Sequence, residues 1–245
     1  MQRIQMFFLL LATSFLLSVM TSCDQAGLCK SASGPTETLD LDLASFDGLH
    51  LKGTGTVHLT YGTTQSVSVE GPQSVLNALD VQVSSGLLVL DIDGCFRNSF
   101  DLDYYVTIVE PLTEISVSGS GEVIGDTQIP AADALVLDIS GSGEITLDTE
   151  ATDISSRISG SGDLDLSGTA RNHSIDISGS GKSKAFDLIC IDHDVKVSGS
   201  GEAEVFCDNG QLTVNISGAG SVYYKGYPAS VDTRITGSGS LKDVN

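Results

Sequence analysis

Hydrophobic and polar positions alternate along most of this chain, and the alternation is interrupted at a nearly fixed interval. Leu135, Leu137 and Ile139 alternate with Val136, Asp138 and Ser140, and Ile145 and Leu147 alternate with Glu144, Thr146 and Asp148. Period-two alternation buries one face of a strand and leaves the other in solvent. Between the two runs stands Gly141-Ser-Gly143, where glycine takes a positive φ without a Cβ penalty and lets the chain turn sharply. The phrase recurs seven times between Ile115 and Leu241. Its glycines are Gly119 and Gly121, Gly141 and Gly143, Gly160 and Gly162, Gly179 and Gly181, Gly199 and Gly201, Gly218 and Gly220, and Gly237 and Gly239. Successive leading glycines lie 22, 19, 19, 20, 19 and 19 residues apart.

A period near 20 residues marks a solenoid. One such unit cannot bury its apolar face alone, but stacked units close a continuous core with backbone bonds running between coils. A leucine-rich horseshoe shares the period but needs a helical stretch per repeat. No apolar stripe at helical spacing is present, and Ser, Thr, Asp and Gly fill the connections. The pattern therefore predicts an all-β chain folded as a single-stranded parallel β-helix with coils of about 19–20 residues.

The chain divides at clear changes of pattern. In residues 1–22 Arg3 precedes an apolar run from Met6 to Val19, then small Thr21 and Ser22 before Cys23. That is a secretory signal, too short for a strong membrane span. Met20-Thr-Ser-Cys23 resembles a bacterial lipobox, so Cys23 is the expected lipidation site and the expected contact with a membrane. Residues 23–36 lack periodicity and read as a flexible tether. Residues 37–110 form an irregular strand-rich first half, in which Gly53-Thr-Gly55 is a degenerate copy of the later phrase. Regular repeats fill 111–245. About ten coils would make a rod on the order of 50 Å long.

The order Phe46-Asp-Gly-Leu, Gly53-Thr-Gly55, Gly86-Leu-Leu-Val-Leu, Tyr105-Val-Thr-Ile-Val-Glu-Pro-Leu and the repeated Ile-Ser-Gly-Ser-Gly resembles the head-GIN domain family, named for auto-transporter adhesins and common in lipoproteins of Bacteroidetes-type bacteria. The resemblance covers nearly all of Leu39 to Asn245. It implies a right-handed β-helix and an envelope location, and it carries over no catalytic residue.

Charge narrows the partners. Removing the signal takes away Arg3, leaving 11 basic residues against 32 acidic ones, a net of −21. That balance opposes nucleic acid. Directly after each glycine pair stand Glu122, Glu144, Asp163, Lys182, Glu202, Ser221 and Ser240, an expected outward column. Glu122, Glu144 and Asp163 are weak candidates for a hard cation such as calcium, but a solvated acidic face relieved by Lys182 is the simpler reading, with no metal and no cofactor. His173 and His193 each lie six residues before their glycine and are expected to stack inward beside Leu135, Ile154, Leu212 and Val231. Two such ligands make no metal site on their own, even with Asp192 and Asp194 beside them.

No nucleophile elbow, phosphate loop or unique carboxylate pair stands out, and there is no Trp for a sugar cleft. Tyr223, Tyr224 and Tyr227, near Lys225, are expected to cover the last coils, the other reading being a small binding patch. Cys29, Cys95, Cys190 and Cys207 remain after Cys23, an even number in an oxidising compartment. Of three pairings, Cys190 with Cys207, which lie close to one coil apart, and Cys29 with Cys95, which would pin the tether to the first half, is preferred, with free thiols as the alternative. The sequence thus points to a non-enzymatic protein of the cell envelope, anchored in the outer membrane through Cys23, that contacts a protein or glycan partner. The alternatives are a periplasmic scaffold and a polysaccharide-active β-helix enzyme. Open ends make end-to-end self-association an expectation as well.

Overall fold

A computed structural model describes residues 29–245. In chain order the first elements are β1 (Thr36–Leu41), β2 (Gly48–Gly53), β3 (Thr56–Tyr61), β4 (Ser66–Pro72), the one-turn helix α1 (Gln73–Leu76), β5 (Leu79–Ser84), β6 (Leu87–Ile92) and β7 (Asp103–Ile108). The repeats supply β8 (Leu112–Gly119), β9 (Glu122–Gly125), β10 (Ile129–Gly141), β11 (Glu144–Glu150), β12 (Asp153–Gly160) and β13 (Asp163–Gly179). They end with β14 (Lys182–Gly199), β15 (Glu202–Cys207), β16 (Gln211–Gly218), β17 (Ser221–Lys225), β18 (Ser230–Gly237) and β19 (Ser240–Asp243). Parallel stacked coils of these strands form a β-solenoid of about 7 turns.

The glycines carry the register. Gly119, Gly141, Gly160, Gly179, Gly199, Gly218 and Gly237 lie directly above one another. Gly199 has a φ of +123°, and a Cβ there would lie 2.5 Å from the carbonyl oxygen of Gly179 in the coil below. A Cβ on Gly201 would instead strike Cγ2 of Ile177, also at 2.5 Å. The first glycine is thus required by its own backbone and its neighbour's, the second by the core. Corner amides still find partners, since Ser200 N–H donates to Gly179 O at 2.8 Å and Glu202 N–H to Gly181 O at 3.0 Å. Inward residues form unbroken apolar columns, for example Ile139, Ile158, Ile177, Val197 and Ile216, all buried.

The first half does not stack in chain order. Gly53 is in register with Gly119, although 65 residues separate them. Strand β6 lies on the other edge of β2, and β7 on the other edge of β3, both parallel. Beyond them β5 pairs antiparallel with β6, β4 antiparallel with β7, and β1 antiparallel with β4. The expectation of about ten coils is therefore corrected to about seven, because the chain between Gly53 and Gly119 builds a cap. The expected tether is also fastened from Cys29 onward. Cys29 is disulfide-bonded to Cys95, Arg97 N–H donates to Lys30 O at 3.0 Å, and Ser33 N–H donates to Ser74 Oγ at 2.7 Å. The signal peptide and Cys23 lie outside the described residues.

At the opposite end β18 and β19 form the final coil, and every residue of β18 is exposed. The tyrosines expected to cover this end do not. Tyr223 and Tyr224 belong to β17, one coil earlier, and Tyr227 is 77% exposed at a corner.

Candidate contact surface

The sides of the rod consist of outward columns. Glu122, Glu144, Asp163, Lys182, Glu202, Ser221 and Ser240 stack as one column, in the predicted order. Parallel strands lie about 4.8 Å apart, so the three leading carboxylates repel one another until Lys182 intervenes. Among the described residues no three His, Cys, Asp or Glu side chains converge as a metal site.

His173 and His193 stack in adjacent coils, both buried, with ring centroids 5.6 Å apart. His173 Nε2 is 2.9 Å from Ser156 Oγ, and His193 Nε2 donates to Phe206 O at 3.0 Å. That second bond assigns the proton of His193 to Nε2. Burial lowers the pKa of His193 to about 4, and burial together with the charge of His193 holds His173 well below the usual histidine range. Both are neutral core residues at ordinary pH. The flanking carboxylates are engaged elsewhere: Asp192 Oδ1 accepts from Gln211 N–H at 2.7 Å, and Asp194 pairs with Lys196 at 3.2 Å.

Cys190 and Cys207 are also adjacent in register, yet both are free thiols, which corrects the expected second disulfide. Side chains in an in-register parallel stack run side by side rather than converging, and a disulfide needs converging Cβ atoms. Each thiol instead turns to a carbonyl, Cys190 Sγ to Asp192 O at 3.3 Å and Cys207 Sγ to Ile191 O at 3.2 Å. Burial pushes Cys190 up to about 12 and raises Cys207, so neither is a ready nucleophile.

The surface breaks its regularity at the capped end. Where later coils turn through two glycines, residues 93–102 make a longer loop between β6 and β7, fastened by the Cys29–Cys95 bond. Phe96 and Phe100 pack edge to face, with centroids 5.4 Å apart. Beside Phe100 lies a hollow of about 430 Å³ lined by Ser33, Glu70, Asn98, Asp101 and Asp103, among others. A second hollow, of about 250 Å³, shares Phe100, Asp101 and Asp103 and reaches Glu122. Asp103 then leads onto the outer face of β3, β7 and β9. There His58 Nε2 lies 3.7 Å from Asp103 Oδ1 and Nδ1 lies 3.5 Å from Asp126 Oδ2. The imidazole stacks on Tyr105 at 5.1 Å, and that ring is 43% exposed. An open aromatic face rimmed by carboxylates suits hydroxyl-rich or cationic groups.

The sequence pattern does not point to this cluster. Its members come from β3, from β7 and from just past β9, brought together by strand crossings that no local pattern announces.

A family model described as "putative auto-transporter adhesin, head GIN domain" matches residues 45–228. The chain belongs to the head GIN domain family. The match spans the cap from just before Phe46 and six of the seven glycine turns, and it ends before β18. Solved structures share the fold. One described as a "putative adhesin" from Bacteroides fragilis has a TM-score of 0.77 at 23% identity, covering 88% of this chain and 100% of that one. Another "putative adhesin", from Parabacteroides distasonis, has a TM-score of 0.71 at 24% identity and covers 87% and 99%. A "putative lipid binding protein" from the same organism has a TM-score of 0.69 at 21% identity and covers 88% and 99%. No curated protein matches the chain. In the head GIN domain, then, the capped end is where the repeats give way to a shaped surface.

Proposed function

We propose that this head GIN domain protein is a non-enzymatic lipoprotein of the cell envelope, held to the outer membrane by acyl chains on Cys23 and presenting its β-helix for adhesion or protein contact. The observation that carries the reading is the Cys29–Cys95 staple. Six residues of chain lead from Cys23 to Cys29, a span of at most about 20 Å. A lipid on Cys23 therefore keeps the capped end beside the bilayer and directs the later coils away from it. The polar sides of the later coils are then open to a protein or glycan partner, with the hollows around Phe100 nearer the membrane. A net charge of −21 after signal removal keeps such a rod soluble and off nucleic acid.

Protease treatment of intact cells, wild type against Cys23→Ala, tests this. Cleavage of the wild-type chain without lysis supports adhesion from the outer surface. Complete protection until lysis sinks that reading and leaves the periplasmic scaffold.

A further inference from the structure

The last described coil repeats the coil beneath it, and none of the described residues covers it. Leu212, Val214 and Ile216 are buried, whereas the residues stacked directly on them, Val231, Thr233 and Ile235, are exposed. Strand β18 thus presents three inward-column side chains and a backbone edge that pairs with nothing among the described residues, and such an edge is a template for another strand. The opposite end meets the same problem with antiparallel strands, β5 on β6 and β4 on β7.

The outward residues say what fits here. One column runs Asp138, Arg157, Asp176, Lys196, Asn215, Arg234. Its charges alternate in sign from coil to coil up to Lys196, and Arg157 lies 3.8 Å from Asp138. Arg234 ends the column above an uncharged Asn215. The neighbouring outward column ends on Asp232. Laid antiparallel on a second β18 and centred on Thr233, the strand complements itself. Asp232 falls opposite Arg234, Val231 opposite Ile235, and Thr233 opposite its own copy. Residues opposite one another in an antiparallel pair point to the same side, so both sets of apolar side chains face one interior while the charges pair outside. Moving the centre to residue 232 sets Asp232 against Asp232, and moving it to residue 234 sets Arg234 against Arg234. The register is therefore selected by repulsion as well as attraction.

We propose that β18 is a self-association strand, through which two copies of this chain join end to end about a two-fold axis at Thr233. An isologous contact of this kind closes at two copies and does not propagate into a filament. It is independent of whether Cys23 is lipidated, and it lies beyond the part of the chain that the family model matches.

Sedimentation equilibrium on the mature chain, made soluble by Cys23→Ser, tests the pairing. The expected species is a dimer. Asp232→Arg sets like charges opposite each other twice and should weaken association at least about tenfold, while adding Arg234→Asp should restore it to within about threefold. Thr233→Cys should link two chains under mild oxidation, because directly opposed Cβ atoms in an antiparallel pair approach to about 4.5 Å, the upper end of the disulfide range. The four cysteines of the described chain are buried or already bonded and do not compete. Every residue changed is exposed, so unchanged unfolding of the variants separates lost association from lost folding. A monomer at all concentrations overturns the proposal. So does an open-ended series of multimers, or a dimer indifferent to the charge reversal.

Discussion

The two ends of this solenoid carry the same strand chemistry and end differently. At the capped end, antiparallel strands cover the first coils, a disulfide closes a 66-residue separation, and Leu88, Leu90 and Tyr104 are fully buried. At the open end the equivalent inward columns stop at Val231 and Ile235, which are 44% and 39% exposed. An inward-pointing side chain in a solenoid is buried only by the coil above it. Burial is therefore a property of position in the stack rather than of the residue. That is why repeat proteins need special ends, and here one end is a cap and the other an exposed edge.

The largest effect should come from breaking the stack between the ends. Gly199→Val puts a side chain against the Gly179 carbonyl at a φ of +123°, and about 4–5 kcal/mol of destabilisation is expected in urea unfolding. The same change at Gly237, in the terminal coil, should cost clearly less, because that coil can shift without disturbing one above it. Equal costs would show that the open end is as rigid as the middle.

Removing the staple with Cys95→Ser should cost about 2–4 kcal/mol, given the length of chain it closes. Hydrogen exchange should then rise in β1 and β4 while β16 stays protected. A change confined to β16 would break the comparison.

The histidine pair sets the pH response of the middle coils. Above pH 6.5 the imidazoles are neutral in both the folded and the unfolded chain. As pH falls, the unfolded chain takes up protons near 6.5 but folded His193 only near about 4, so stability drops across that window. For His193 alone the drop is about 3 kcal/mol, and His173 adds to it in the same direction. Replacing both with Leu, which occupies the same column at Leu135 and Leu212, should flatten the slope of unfolding midpoint against pH between 7 and 5. A slope that survives the replacement would assign it to the carboxylates instead.

The smallest effect should be Val231→Ala at the open end, within about 0.5 kcal/mol, against about 2–5 kcal/mol for Leu88→Ala under the cap. Association, read by sedimentation, should respond to changes at Asp232, Thr233 and Arg234 of β18 while stability does not.

The repeats were legible because each is a local phrase: alternation assigns the faces, and the glycine pair marks the corner. The stacking of His173 on His193, and the acidic column from Glu122, follow from counting back or forward from a glycine. Cys190 and Cys207 show where counting stops. Register puts them side by side, but each thiol turns to a backbone carbonyl and no bond joins them. The cluster of His58, Tyr105, Asp103 and Asp126 was hidden for a related reason, since its strands meet only after the chain folds back on itself.

Strand, corner, period and the class of fold were therefore determined by the sequence alone, because each depends on steric preferences within some 20 residues. The tertiary structure decided the number of coils, the order in which the first strands stack, the state of each thiol and which end is covered. Those depend on contacts between segments far apart in the chain, where hydrogen bonding and burial select one partner among several with the same local pattern.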